Sequence, residues 1–375
     1  MRGSSPANTV GIYIHVPFCE NGKCPYCDFY SLTLTEELKE RYIKAVERDL
    51  KKWSVSAKGR IADTVYFGGG TPSLLKEDLA RLFLCVKKYF HVADNAEVTF
   101  EANPAGIDFD LLNVLRSAGF NRLSLGMQSA QDSELAALGR RHRRKDVAAA
   151  VENAHRAGFD NISLDLMLCV PNQTKESLKE SVDFAASLSP RHISAYLLKI
   201  EPGTRFSDIK DSLNLPDEDT QADIYLTACE LLESKGFLQY EISNFANKGF
   251  ESKHNLRYWD CGEYLGFGPA AHSFFNGKRF YYTRSLEDYI IGAGPQDDGT
   301  GGTFEEYVML RLRLRDGINE TELKKRYGKD FSCFDTQKIS LLVKNGLIQN
   351  EHGRLALTRK GFLVSNSVIS ELLYG

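Results

Sequence analysis

Three cysteines, Cys19, Cys24 and Cys27, stand within nine residues of the stretch GIYIHVPFCENGKCPYCDFYS, which starts at Gly11. Thiolates spaced this closely can hold a metal centre, and with no fourth cysteine nearby one position is left for another ligand. Structural zinc takes four closed ligands, and His15 is the residue that could complete such a site, although Val16 and Pro17 intervene. An iron–sulfur cluster on three cysteines leaves one iron free, and the spacing points to that chemistry first. Pro25 and the aromatics Phe18, Tyr26, Phe29 and Tyr30 make the loop apolar, which would shield a cluster and offer rings for stacking.

Other residues look out of place for a plain core. Glu101 follows VTF, Gln128 follows SLGM, and Asp165 interrupts ISLDLML. A buried acid is costly without a partner, so each needs a ligand, an internal ion pair or a helix cap. Gly68, Gly69 and Gly70 let backbone approach a ligand where a Cβ would clash. Arg140 lies in the charge run GRRHRRKD and, taken alone, reads as a solvated side chain.

The elements that must position these residues alternate. Strand patterns occur at GIYIHV, DTVYFG (63–68), EVTFEA (97–102), NRLSLGM (121–127), NISLDLML (161–168) and HISAYLL (192–198). Amphipathic helical patterns lie between them, the clearest placing Leu38, Tyr42, Val46, Leu50 and Trp53 on one face. Others fall near 76–90, 108–118, 145–157, 175–188 and 218–235, two of them closed by the glycines of SAGF and RAGF. Six βα units in succession require parallel strands with right-handed crossovers, so the fold class is α/β, as a doubly wound sheet or an open (β/α)6 barrel. In either, ligands sit at the carboxyl ends of the strands, where the cysteine cluster, GGGTPS and EANP all begin. Beyond about residue 236 the rhythm stops. PQDDGTGGT (295–303) reads as a flexible boundary, and GLIQNEHGRLALTRKGF as two short strands of a winged-helix-like module. The expected division is 1–235, 236–302 and 303–375.

Composition narrows the class. The chain has 375 residues, 42% apolar, with net charge −3. That gives no whole-chain bias toward nucleic acid, and the mixed charge of the C-terminal module argues for packing rather than DNA binding. MRGSSPANTV lacks the apolar centre of a signal peptide, and no apolar run approaches the ~20 residues of a membrane span, so a cytoplasmic protein is expected. In a reducing compartment Cys85, Cys169, Cys229, Cys261 and Cys333 are expected to be unpaired.

YIHVPFC…CPYCDF, YFGGGTPS, EANP, RLSLGMQS, LGRRH and DLML…P…QT occur in an order that resembles the radical S-adenosylmethionine (SAM) enzymes related to oxygen-independent coproporphyrinogen oxidase. The resemblance runs over about 10–375 and implies the open (β/α)6 barrel. It implies a [4Fe-4S] cluster on Cys19, Cys24 and Cys27, with SAM at the open iron, cleaved to methionine and a 5′-deoxyadenosyl radical. It also implies Gly69, Gly70 and Thr71 at the SAM amino end, Arg140 on its carboxylate, and Glu101, Gln128 and Asp165 on its amino and ribose groups, with Tyr13 near the sulfonium. Two departures stand out. Four residues, not three, separate Cys19 from Cys24, an excess that a positive φ at Asn21-Gly22 could absorb. In LCVPNQT, Cys169 stands where the family prefers Gly, and Cys169 and Val170 are expected to narrow the SAM cleft.

Within the family, Phe29 occupies the place where coproporphyrinogen dehydrogenases carry a further cysteine, and KHNLRYW (253–259) resembles the heme-chaperone branch. That branch implies heme as cargo, with His254 as candidate axial ligand, Tyr258 and Trp259 against the porphyrin, and His272 as second candidate. Partners then include an apo-hemoprotein recipient, in some cases membrane-bound, and a reductant such as flavodoxin or ferredoxin, with a homodimer left open. The alternative activity is oxidative decarboxylation of the propionates of coproporphyrinogen III.

Overall fold

The computed structural model describes residues 8–20 and 22–374. The first seven residues of MRGSSPANTV, read above for targeting signals, and Asn21 of the cysteine loop lie outside them. Six strands follow one another in parallel across one sheet: β1 (Thr9–Val16), β2 (Ile61–Gly69), β3 (His91–Ala102), β4 (Arg122–Gln128), β5 (Asn161–Leu168) and β6 (His192–Leu197). The intervening helices are α1 (Glu36–Ser56), α2 (Glu77–Tyr89), α3 (Phe109–Ala118), α4 (Arg144–Arg156) and α5 (Lys175–Ser187), with α6 (Glu218–Ser234) after β6. This is the expected (β/α)6 arrangement. Local chemistry sets the boundaries: the Thr35, Asp108 and Asp217 side chains accept backbone N–H groups that open α1, α3 and α6. Gly119 ends α3 in the left-handed region at φ 114°.

The sheet is two-faced. One face carries Val98, Phe100, Leu123, Leu125, Ile162 and Leu164, all buried beneath the helices. There Phe100 packs edge-on against Phe120, which meets Phe67 and Phe83. Alternate residues turn inward and are polar: Thr99 and Glu101, Arg122 and Ser124, Ser163 and Asp165, His192 and Ser194. A parallel sheet packed on both faces would be apolar throughout, so this alternation marks an interior built for something other than packing.

Residues after 236 extend this sheet instead of leaving it. Asn244–Ala246 pairs antiparallel with β6, while Tyr264–Phe267 joins β1 in parallel and leads into antiparallel His272–Phe275, Lys278–Tyr281 and Gln296–Thr300. PQDDGTGGT is therefore an edge strand over Gln296–Thr300, not a linker; its side chains are exposed and only its backbone pairs. The C-terminal residues form helices and a small sheet of Ile318–Asn319, Arg354–Leu357 and Ile348–Glu351, with the turn EHGR as expected.

HNLRYW forms α7 (Lys253–Trp259), lodged against the amino-terminal halves of the barrel strands. Glu97 of β3 accepts the N–H groups of Lys253 and His254, each at 3.0 Å, and buried Arg257 pairs with Asp63. Glu97→Ala leaves two backbone donors unmatched, that of His254 buried, an expected cost of about 2 kcal/mol, read as a lower midpoint in thermal unfolding. An unchanged midpoint would mean that α7 is not fastened in this way.

Candidate active site

β1 ends at Val16, and the chain turns across the mouth of the barrel as the cysteine loop. The turn after β2 holds it there: the Gly70 N–H donates to Val16 O at 2.9 Å and the Thr71 N–H to Phe18 O at 2.7 Å. A Cβ on Gly70 would strike the Phe18 carbonyl, and one on Gly69, at φ 113°, would strike the His15 ring. These glycines thus clear space for the cysteine loop, a reason distinct from the approach to a ligand expected above. Further out, Phe206 N–H donates to Pro25 O at 2.9 Å, and Pro25 packs on Gly139. Arg284 bridges to the Asp28 carboxylate and carbonyl, and His15 Nε2 lies 3.0 Å from Tyr30 O. Gly22 takes φ 86°, the positive value expected to absorb the extra residue between Cys19 and Cys24.

Behind the loop lies a cavity of about 740 Å³. Cys19, Cys24 and Cys27 line its outer rim, with Gly69, Gly70 and Thr71 beside them. Glu101, Gln128, Arg140 and Asp165 line its interior. Ten of the eleven residues assigned to the cluster and SAM therefore meet in one cavity, without the heme candidate His254. Tyr13 is not part of that lining; its hydroxyl lies 3.1 Å from His15 Nδ1 and its ring 6.2 Å from that of Tyr66.

His254 is the other exception, and its candidacy as a heme ligand is corrected by its setting. Its ring is 1% exposed, with Nδ1 2.8 Å from Thr64 Oγ1 and Nε2 2.8 Å from the Tyr258 hydroxyl. Burial, with Arg257 and Arg122 nearby, lowers its pKa to about 3, so the ring is neutral and both nitrogens are engaged. Cys169 and Val170 are likewise buried off the cavity and do not narrow it. Cys169 adopts φ 61°, a left-handed conformation that suits Gly and explains the preference for it at this position, not the cysteine.

The electrostatics favour a cation that also carries a carboxylate. Glu101 accepts from the Tyr66 hydroxyl at 2.7 Å and from Gly69 N–H at 3.2 Å, and burial raises its pKa to about 7. Asp165 accepts from Ser124 Oγ at 3.3 Å, and burial raises it to about 6. A positive ligand would stabilise both in their charged forms. Arg140 donates to Tyr26 and Asn103 and has no acidic partner among the described residues, which leaves its fork available to a carboxylate. Gln128 sits at a register shift in a left-handed conformation, φ 67°, and accepts from the Tyr196 hydroxyl at 2.8 Å. Strained backbone of this kind concentrates at binding sites.

Among the cavity residues that escaped the sequence reading are Tyr66, Arg122 and Tyr196. Arg122 is the most telling, a guanidinium 1% exposed whose Nε finds no hydrogen-bond partner. The signal was present in NRLSLGM, where period-two alternation puts Arg122 on the same face as Ser124.

Known proteins resemble this chain over most of its length. Residues 13–185 match the family model described as the Radical SAM superfamily, and 304–364 the HemN C-terminal domain. The solved Escherichia coli coproporphyrinogen III oxidase HemN superimposes over 99% of this chain and 92% of its own, with TM-score 0.84 at 22% identity, a likeness of fold. Among curated relatives, heme chaperone HemW of Bacillus subtilis is 36% identical over 96% of this chain and 98% of its own. HemW of Escherichia coli is 38% identical over 84% and 85%. The fold is that of a radical SAM protein. More narrowly, the chain belongs to the HemW family.

That membership implies a [4Fe-4S] cluster with SAM, and the residues fit. Burial pushes the Cys27 thiol up, and Cys24 and Cys19 are near enough to push it the same way. His15, the residue that could complete a zinc site, is engaged by Tyr13 and Tyr30. A cube takes one thiolate per iron, so its ligands need not converge on a point. When bound, the reduced cluster supplies an electron to the SAM sulfonium.

Two outcomes follow. Cys24→Ala is expected to abolish the cluster in anaerobically reconstituted protein, measured as iron content falling from about four per chain; full retention would refute the ligand set. SAM, a cation, binds the ionised acids, so its affinity should weaken as pH falls through about 7 and then about 6. Equilibrium dialysis at pH 5.5 and 8 reads this, and Glu101→Gln should flatten the profile.

Proposed function

We propose that this chain is a heme chaperone, a radical SAM protein that binds heme and delivers it to an apo-hemoprotein. One observation carries the reading: its likeness to proteins named heme chaperone extends over nearly the whole chain, 96% in the Bacillus subtilis case. Phe29 supports it, because the place that would hold a further cysteine in a coproporphyrinogen dehydrogenase presents an apolar ring, 65% exposed.

In this reading Cys19, Cys24 and Cys27 hold the cluster. Gly69, Gly70 and Thr71 flank the SAM amino end, Arg140 binds its carboxylate, and Glu101, Gln128 and Asp165 hold its amino and ribose groups. Tyr13 supports the wall from behind through Tyr66. Residues 1–235 form the barrel, 236–302 its extensions and 303–375 a winged-helix-like packing module. A flavodoxin- or ferredoxin-type donor reduces the cluster. Among the described residues no helix is long and apolar enough to cross a membrane, in keeping with action in the cytoplasm and peripheral contact with a membrane-bound recipient, as a monomer or a homodimer.

The test pairs a heme titration with anaerobic incubation of the holoprotein with coproporphyrinogen III, SAM and a reductant. Heme binding without protoporphyrinogen formation is expected. Decarboxylated product would overturn the reading in favour of an oxidase.

A further inference from the structure

If heme is the cargo, it needs an iron ligand that His254 does not offer. Tyr13 of β1 lies opposite Gly266 on the neighbouring parallel strand. Tyr264 pairs with Phe274, so two residues along the antiparallel ladder Gly266 stands beside His272, which in turn pairs with Tyr281. Cross-strand neighbours share a face, so His272 and Tyr281 lie on the continuation of the barrel's inner face, beyond β1. The opposite face of this extension is covered: Trp53 of α1 stacks on Phe280 at 4.8 Å and meets Phe275 edge-on. On the other face Phe274 is buried, and only the end at His272 is open. His272 is exposed, and its ring stacks on Tyr281 with centroids 5.2 Å apart and planes 23° from parallel.

We infer that this shelf is the heme platform, with His272 as axial ligand to the iron. The inference rests on the chaperone reading above. Among the described residues neither ring nitrogen of His272 has a hydrogen-bond partner, so a lone pair is available without breaking anything, and the Tyr281 stack fixes the ring that presents it. Partial burial, with Arg279 and Arg284 nearby, lowers the His272 pKa, which keeps the imidazole in its metal-binding form. Arg279 and Arg284, paired with Glu306 and Asp28, place guanidinium donors near the ring that could also meet heme propionates, and Asp298 lies within reach as well. Arg284 also grips Asp28, the residue after Cys27, and so ties the platform to the cysteine loop. Exposed Phe29 adds an apolar surface on that loop for a porphyrin edge.

The experiment is a ferric heme titration of the full-length holoprotein, read as a difference spectrum against the heme-free protein and by electron paramagnetic resonance. His272→Ala is expected to weaken binding by about tenfold or more, to shift the Soret band, and to regain the original spectrum with added imidazole. Tyr281→Leu should weaken binding less, and His254→Gln, checked for folding by circular dichroism, should keep the wild-type spectrum. Unchanged affinity and spectrum in His272→Ala overturns the inference alone. Absence of heme binding by the wild type overturns the chaperone reading and this inference with it.

Discussion

The cysteine loop can cross the mouth of the barrel only because Gly70 has no Cβ. The turn after β2 lies so close to the incoming chain that its two N–H groups reach Val16 O and Phe18 O, and a methyl group at Gly70 would meet the Phe18 carbonyl. With that approach made, Cys19 is set one residue past a fixed point. The loop's far side is then pinned by Phe206 on Pro25, His15 on Tyr30 and Arg284 on Asp28. Ordering each backbone residue costs about 1–2 kcal/mol, and a net hydrogen bond returns about 1, so fastening at several separated points is what keeps three thiols on one rim.

The same economy governs the interior. Glu101 and Asp165 sit within electrostatic reach of one another and of Arg122, and burial raises the pKa of both acids. The barrel tolerates them because each accepts hydrogen bonds and because Arg122 offsets their charge from below. What results is a cavity whose acids are poised between charge states, with a second guanidinium, Arg140, that no acidic side chain neutralises. Such a cavity discriminates by charge distribution: a ligand must bring positive charge to the acids and an anionic group to Arg140.

Much of this was legible in the sequence. The six strands and their helices follow from period, and the cavity residues from polar types at strand ends. What escaped has physical causes. Arg122 and Tyr66 lie inside strands, where inward and outward positions differ only by parity, and parity is unassigned until the sheet is closed. The role of the glycines depended on the close approach of a segment about 50 residues away in sequence. Gln296–Thr300 lacks every apolar signal of a strand because an edge strand with exposed side chains needs only backbone partners. HNLRYW marked the heme-chaperone branch, but the place of His254 was not legible because polar and aromatic residues suit a polar barrel floor as well as they suit a ligand.

That last ambiguity can be resolved by magnitude. For His254 to reach an iron, α7 must leave its seat. That means separating buried Arg257 from Asp63, withdrawing two N–H groups from Glu97 and freeing the ring from Thr64 and Tyr258. Each hydrogen-bonding group left unmatched in the interior costs about 1–3 kcal/mol, and the parting of Arg257 from half-buried Asp63 adds to that. A ligand that selects such an opened state loses that amount from its affinity, several orders of magnitude in Kd. His272 presents its ring with no such cost. The motif HNLRYW therefore acts as the floor of the barrel, closing it at the end opposite the cysteines, with Asn255 its one side chain lining the cavity. Cargo is better placed at the open end beside the mouth, where the chain has already turned an unengaged imidazole toward solvent.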